Sequence, residues 1–172
     1  MYSKLPYKRY QITTDFLKKH VNKNEIILDL GIDNPLSKIL RENGYNVSNT
    51  GGEDLDFDQS SIIDTDATVI TAFQIFEHLL NPFQLLKSIK ANKLVCSVPL
   101  NLWFANAYRN KNDKRDNHFH EFEDWQFRLL LEKTGWKIIE EKKFTNPVKK
   151  IGFRPLLRLF TNRYLIVYAE KL

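Results

Sequence analysis

The chain has a single cysteine, Cys96, among its 172 residues. No internal disulfide can form, and nothing argues for an oxidising compartment. No apolar run reaches the ~20 residues of a membrane-spanning helix. Met1-Tyr2-Ser3-Lys4-Leu5-Pro6 lacks the apolar core of a signal peptide, so a cytoplasmic location is the expectation. There is no low-complexity tract, internal repeat or Gly/Ser linker. No Cys/His cluster has metal-ligand spacing, so no metal is expected. A nucleophilic triad is not readable, and the G-x-G-x-x-G turn of a dinucleotide oxidoreductase is missing.

What is present suits a globular chain, with 42% hydrophobic and 27% charged residues. The length favours one domain over residues 1–172, large enough for a sizeable core. The formal charge of +5 is unevenly spread. Residues 51–66 hold six acids and no Lys or Arg, while residues 142–172 hold eight bases against Glu170 alone. Such asymmetry marks either a solvated face or an anionic partner. In the second case the basic tail 142–163, interleaved with Phe144, Phe153 and Phe160, would meet nucleic acid or an acidic membrane surface. That affinity would fall steeply with salt.

The hydrophobic period alternates between helix and strand. Residues 9–21 read as a helix, with Tyr10, Thr13, Phe16, Leu17 and His20 or Val21 on one face. Residues 26–30 form an apolar strand of the fully buried kind. Pro35 suits the first turn of a helix, Leu36, Ile39 and Leu40 give it an apolar face, and Gly44 closes it. Residues 45–49 and 67–73 read as strands. Asn81-Pro82 is an N-cap and first-turn proline for a helix carrying Phe83, Leu85, Leu86 and Ile89. Residues 93–98 form a fourth strand, stopped by Pro99. Residues 99–120 have no clear period, and loops of that length tend to be functional or mobile. A helix over 121–134 ends at Gly135, followed by a strand over 136–144, a short helix over 153–161 and a last strand over 164–169. Alternation of this kind predicts an α/β fold with helices on both faces of a mainly parallel sheet. The connection before the last strand is too short for a parallel crossover, which permits antiparallel pairing there.

Three segments point to a family. Leu28-Asp29-Leu30-Gly31, followed by Leu36-Ser37, is similar to the first motif of class I S-adenosylmethionine-dependent methyltransferases, whose glycine loop passes under the methionine part of the cofactor. Phe76-Glu77-His78-Leu79-Leu80-Asn81-Pro82 resembles the EHL–NP segment that follows the fourth sheet strand in many small-molecule members. Ser97-Val98-Pro99-Leu100-Asn101, then His118-Phe119-His120-Glu121-Phe122 and Gly135-Trp136, resembles the pattern of the family's C-terminal half. Together they span about residues 26–140.

The resemblance implies a Rossmann-like three-layer sandwich, mainly parallel with an antiparallel C-terminal strand. It also implies an S-adenosylmethionine-dependent methyltransferase acting on a small molecule, with Asp29, Gly31, Asp54, Phe73 and Gln74 at the cofactor. His78, His118 and His120 would serve the methyl acceptor. Arg109, Lys111, Lys114 and Arg115 would roof its pocket, which suits an anionic or polyhydroxyl acceptor such as a sugar derivative. Other roles stay open: Asp29 as a holder of its own turn, His78 as a residue tied to backbone, Asp54 as a solvated loop acid. The N-terminus of the helix at Pro35 is expected to suit an anionic group.

The departures are specific. Asp33 and Pro35 stand where family members place successive glycines, used there because backbone must approach the ligand closely. No acid stands near Thr50-Gly51, where the family holds the ribose hydroxyls. Residues 51–66 barely have room for the helix and strand usually inserted. A catalytically inactive methyltransferase-like binding or scaffold protein is therefore the alternative, favoured if Asp33 or Phe73 fills the cleft.

Overall fold

The computed structural model describes residues 7–145, 157 and 160–172. Most of the expected helix over 153–161 and most of the basic tail lie outside those residues.

The chain opens with α1 (Tyr7–His20), which buries Tyr10, Thr13, Thr14, Phe16 and Leu17. Its last turn carries Lys18, Lys19 and His20, which complement the negative end of the helix dipole. Four strands follow: β1 (Ile26–Asp29), β2 (Asn46–Asn49), β3 (Val69–Phe73) and β4 (Lys93–Pro99). They are joined by α2 (Pro35–Glu42), the single-turn α3 (Ser60–Ile63) and α4 (Pro82–Ser88). Residues 51–66 indeed hold only one helical turn and no strand. Then come α5 (Asp124–Lys133), β5 (Trp136–Phe144) and β6 (Tyr164–Lys171).

Asn81 caps α4 as expected, its side chain accepting from the Gln84 N–H. Helix α5 starts three residues later than the sequence suggests. Phe122 is held in a bridge to Leu100, and the Glu123 N–H bonds the Gln126 side chain at 2.9 Å, which fixes the helix start.

One six-stranded sheet has the order β2-β1-β3-β4-β6-β5. Strands β1 to β4 pair in parallel, and β6 runs antiparallel between β4 and β5. Alternate side chains feed two cores, as the period of a strand requires. Ile27, Val69, Val95 and Ile166 face α1 and α2, whereas Leu28, Ile70, Leu94, Cys96 and Val167 face α3, α4 and α5. The second core also holds Trp136, whose indole N–H donates to the Leu86 carbonyl at 3.1 Å. The result is the mainly parallel three-layer sandwich with antiparallel C-terminal pairing that the sequence predicts. The chain leaves β1 to place β2 on one side and β3 on the other. That reversal opens a crevice beyond the carboxyl ends of β1 and β3, where ligands bind in open α/β sheets.

Candidate active site

A cleft of about 1050 Å³ occupies this crevice, lined among others by Asp29, Gly31, Asp54, Phe73, Gln74, His78 and His118. Its size reaches the upper end of ligand pockets, about 300–1,000 Å³.

The floor is the turn after β1. Asp29 is 2% exposed, and its carboxylate accepts from Thr71 Oγ1 at 2.7 Å, Asn34 Nδ2 at 3.1 Å, Asn49 Nδ2 at 3.1 Å and Ser37 Oγ at 3.3 Å. Burial pushes its pKa up, and the four hydrogen bonds work against that rise. Three of these bonds converge on Oδ2 and one on Oδ1, so Asp29 holds its own turn. The same amides hold the loop backbone: Asn49 Nδ2 donates to the Gly31 carbonyl at 3.2 Å, and Asn34 Nδ2 to the Ile32 carbonyl at 3.2 Å. The Gly31 N–H donates to Thr50 Oγ1 at 2.8 Å. Gly31 has φ +103°, a conformation that favours glycine, and an added Cβ would sit 3.4 Å from Ile75 Cδ1.

One expectation is corrected here. The N-terminus of α2 offers no free donor to an anion. Pro35 has no N–H, the Leu36 and Ser37 N–H groups donate to Asn34 Oδ1, and the Lys38 N–H donates to the Asn34 carbonyl. The signal was present in the sequence as Asn34-Pro35, the same N-cap pair that is recognised at Asn81-Pro82. Asp33 lines the cleft, with its carboxylate paired to Arg41 and to Lys38.

At the end of β3, Gln74 has φ +62°. A non-glycine residue there is strained by about 1–3 kcal/mol and persists only where its surroundings enforce it. The enforcement comes from β4: the Gln74 N–H donates to the Ser97 carbonyl at 2.9 Å and its Nε2 to Ser97 Oγ at 3.1 Å.

The acids of the loop 51–66 are mostly engaged within the protein. Asp56 accepts from the Leu80 and Asn81 N–H groups, Asp58 from Ser60, and Glu53 from Ser61. Asp54 is exposed at the cleft and accepts the Asp56 N–H at 3.1 Å through Oδ1. Asn49 and Thr50, at the end of β2, are turned inward to the β1 turn.

The far wall is the 3-10 turn Phe76–His78 with part of the loop 99–120 against it. The Phe119 and His120 N–H groups donate to the Glu77 carbonyl at 2.8 and 3.2 Å, which brings His118 beside His78 with ring centroids 4.9 Å apart. His78 Nδ1 lies 3.0 Å from the Asn117 carbonyl. Burial, and then the neighbouring His118, lower its pKa. His120, on the other side of Phe119, is not among the cleft residues, and its ring stacks on Phe122 with centroids 5.4 Å apart. Of the expected roof, Lys114 and Arg115 reach the cleft and Arg109 and Lys111 do not.

Glu77 is a site residue that the sequence pattern does not mark beyond its place beside His78. This side chain is wholly buried, lines the cleft, and has no hydrogen-bond partner for either oxygen among the described residues. Burial pushes its pKa up to about 8; its own backbone N–H, though outside hydrogen-bond geometry, opposes the rise first, then Arg9 and Arg163, and Glu121 adds to it. Arg163 is engaged elsewhere, donating to the Leu100 carbonyl at 2.7 Å and to both oxygens of Glu121. Burial pushes Glu121 up, yet His118 and Arg163 outweigh it and hold the carboxyl down at about 2. Arg9 also reaches the cleft, its guanidinium 5.4 Å from the Tyr164 ring centre.

No family model matches the sequence, and no curated protein matches it. Many solved structures match the fold. An S-adenosylmethionine-dependent methyltransferase from Mesorhizobium loti aligns with TM-score 0.61 at 14% identity, covering 91% of this chain and 96% of that one. The magnesium protoporphyrin IX methyltransferase of Synechocystis, solved with bound SAM, aligns with TM-score 0.59 at 10% identity over 97% and 79% of the two chains. The cyclase SpnF aligns with TM-score 0.57 at 11% identity over 94% and 81%. The chain has the class I methyltransferase fold. At these identities the likeness establishes the fold alone, and the cyclase shows that this fold carries more than one chemistry.

Proposed function

We propose that this protein binds S-adenosylmethionine in the cleft and transfers its methyl group to a small-molecule acceptor. The observation that carries the reading is the open cleft between two unusual strand ends, with Gly31 at φ +103° after β1 and Gln74 at φ +62° after β3. Strain of this kind is retained where a ligand is cradled. The solved methyltransferases of the same fold support the choice of cofactor.

In this reading Asp29 acts beneath the site by fixing the loop, and Gly31 and the Phe73-Gln74 turn let backbone approach the cofactor. Asp54 takes a ribose or adenine donor, and Arg9 suits the carboxylate of the methionine part. The cofactor supplies an activated methyl on a sulfonium. The residues of the cleft align donor and acceptor and exclude water. His78 and His118 face the acceptor, and Lys114 and Arg115 favour an anionic or polyhydroxyl one, such as a sugar derivative. Amide NMR spectra recorded during titration with S-adenosylhomocysteine test this. Shifts centred on Gly31, Gln74 and Asp54 are expected, and a titration that leaves all three unmoved overturns the reading.

One observation favours a second reading, a binding module without turnover. The end of β2 carries no acid, and both Asn49 and Thr50 there are committed to the β1 turn. In that case S-adenosylmethionine binds with no methylated product, or does not bind.

A further inference from the structure

Glu77, His78 and His118 each offer one ligand atom, and the three atoms lie within 4.8 Å of one another. Glu77 is the informative member. A buried polar group without a partner is costly, and buried carboxylates are normally paired or bound to a cation. Neither oxygen of Glu77 has a hydrogen-bond partner among the described residues. Arg163 does not fill that role, since its donors go to Leu100 and Glu121.

The histidines carry a second, independent sign. The Asn117 carbonyl can only accept, so His78 Nδ1, 3.0 Å away, is its donor nitrogen and Nε2 carries the free lone pair. His118 Nδ1 lies 3.2 Å from Glu121 Oε1, a carboxylate that Arg163 fixes in place. Metal-binding histidines commonly donate one ring nitrogen to a carbonyl or carboxylate, which orients the ring and raises the basicity of the other nitrogen. Both rings are held in that manner before any ion is present.

We propose that Glu77, His78 and His118 bind one divalent first-row transition ion, with its remaining positions open to the cleft. Two imidazoles and a carboxylate suit zinc, iron or manganese better than magnesium or calcium, which take oxygen donors. The open positions would be completed by water or by an oxygen of a ligand in the cleft. Sequence spacing does not reveal this cluster, because His118 is brought to the other two by the bonds from Phe119 and His120 to the Glu77 carbonyl.

The test uses chelator-treated full-length protein without S-adenosylmethionine, so its outcome is independent of the cofactor reading. Co2+ is titrated while its visible absorption is recorded, followed by competition with Zn2+ and Mg2+. One equivalent of Co2+ is expected to bind, to be displaced by Zn2+ and to resist about a 100-fold excess of Mg2+. Glu77→Gln and His118→Gln should each weaken binding by about 100-fold or more, at or beyond the upper end of what second-shell changes cost. His120→Gln should bind as the parent does. Circular dichroism establishes that each protein is folded, and His78→Gln replaces any variant that is not. The proposal is overturned by folded parent protein with no saturable uptake, by unchanged binding in the ligand variants, or by equal displacement with Mg2+.

Discussion

At the residue scale, Glu77 sets the most distinctive behaviour. Arg9 and Arg163 act on it favourably, Glu121 unfavourably, and Cys96 shares its buried surroundings, with burial and then Glu77 raising the thiol. Folded Glu77 holds its proton more tightly than the same carboxyl in the unfolded chain. Stability from this group is full below the unfolded value of 4.5 and is lost as pH rises toward about 8. Glu77→Gln resembles the protonated acid and removes that dependence. Urea unfolding of metal-free protein at a series of pH values should show the parent losing a few kcal/mol relative to the variant between mildly acidic and mildly alkaline pH. Parallel pH profiles for the two proteins would contradict the assignment. The sequence shows a glutamate beside a histidine in an apolar setting, and that setting was the available signal. That neither carboxylate oxygen finds a hydrogen-bond partner among the described residues is a tertiary fact.

At the element scale, the turn between β1 and α2 shows how a glycine-poor loop is held. Side-chain amides and hydroxyls do the holding: Asn34, Asn49, Ser37 and Thr71 converge on Asp29, and Thr50 takes the Gly31 N–H. Asn34→Ala removes the cap of α2 and one of these bonds together. Cap loss alone costs about 0.5–2 kcal/mol, so a drop at the upper end of that range is expected in thermal or urea unfolding. A loss of only a few tenths would mean that Asn34 is not structural. The strands and helices were legible because buried strands and amphipathic helices leave periodic patterns, as in Ile26-Ile27-Leu28 and Leu36, Ile39, Leu40. The turn was only half legible. Asp33 reads as a disruption in the sequence, whereas the fold pairs its carboxylate with Arg41 and Lys38.

At the scale of the whole molecule, the strand order places the cleft, and the cleft gathers residues that sequence distance hides. Arg9 from α1, Glu77 from the turn after β3, His118 from the long loop and Arg163 from the start of β6 all line one space. Among the described residues no helix is long and apolar enough to cross a membrane. The fold was foreseen because its motifs recur in order along the chain; the contacts of the far wall were not, because each joins segments distant in sequence. The roles of the cleft residues rest on the proposed binding of S-adenosylmethionine over this altered loop. Isothermal titration calorimetry of S-adenosylmethionine into the folded protein measures that binding. Saturable one-to-one binding is the predicted result, whereas the absence of binding up to about 1 mM ligand, with the protein folded by circular dichroism, would contradict it.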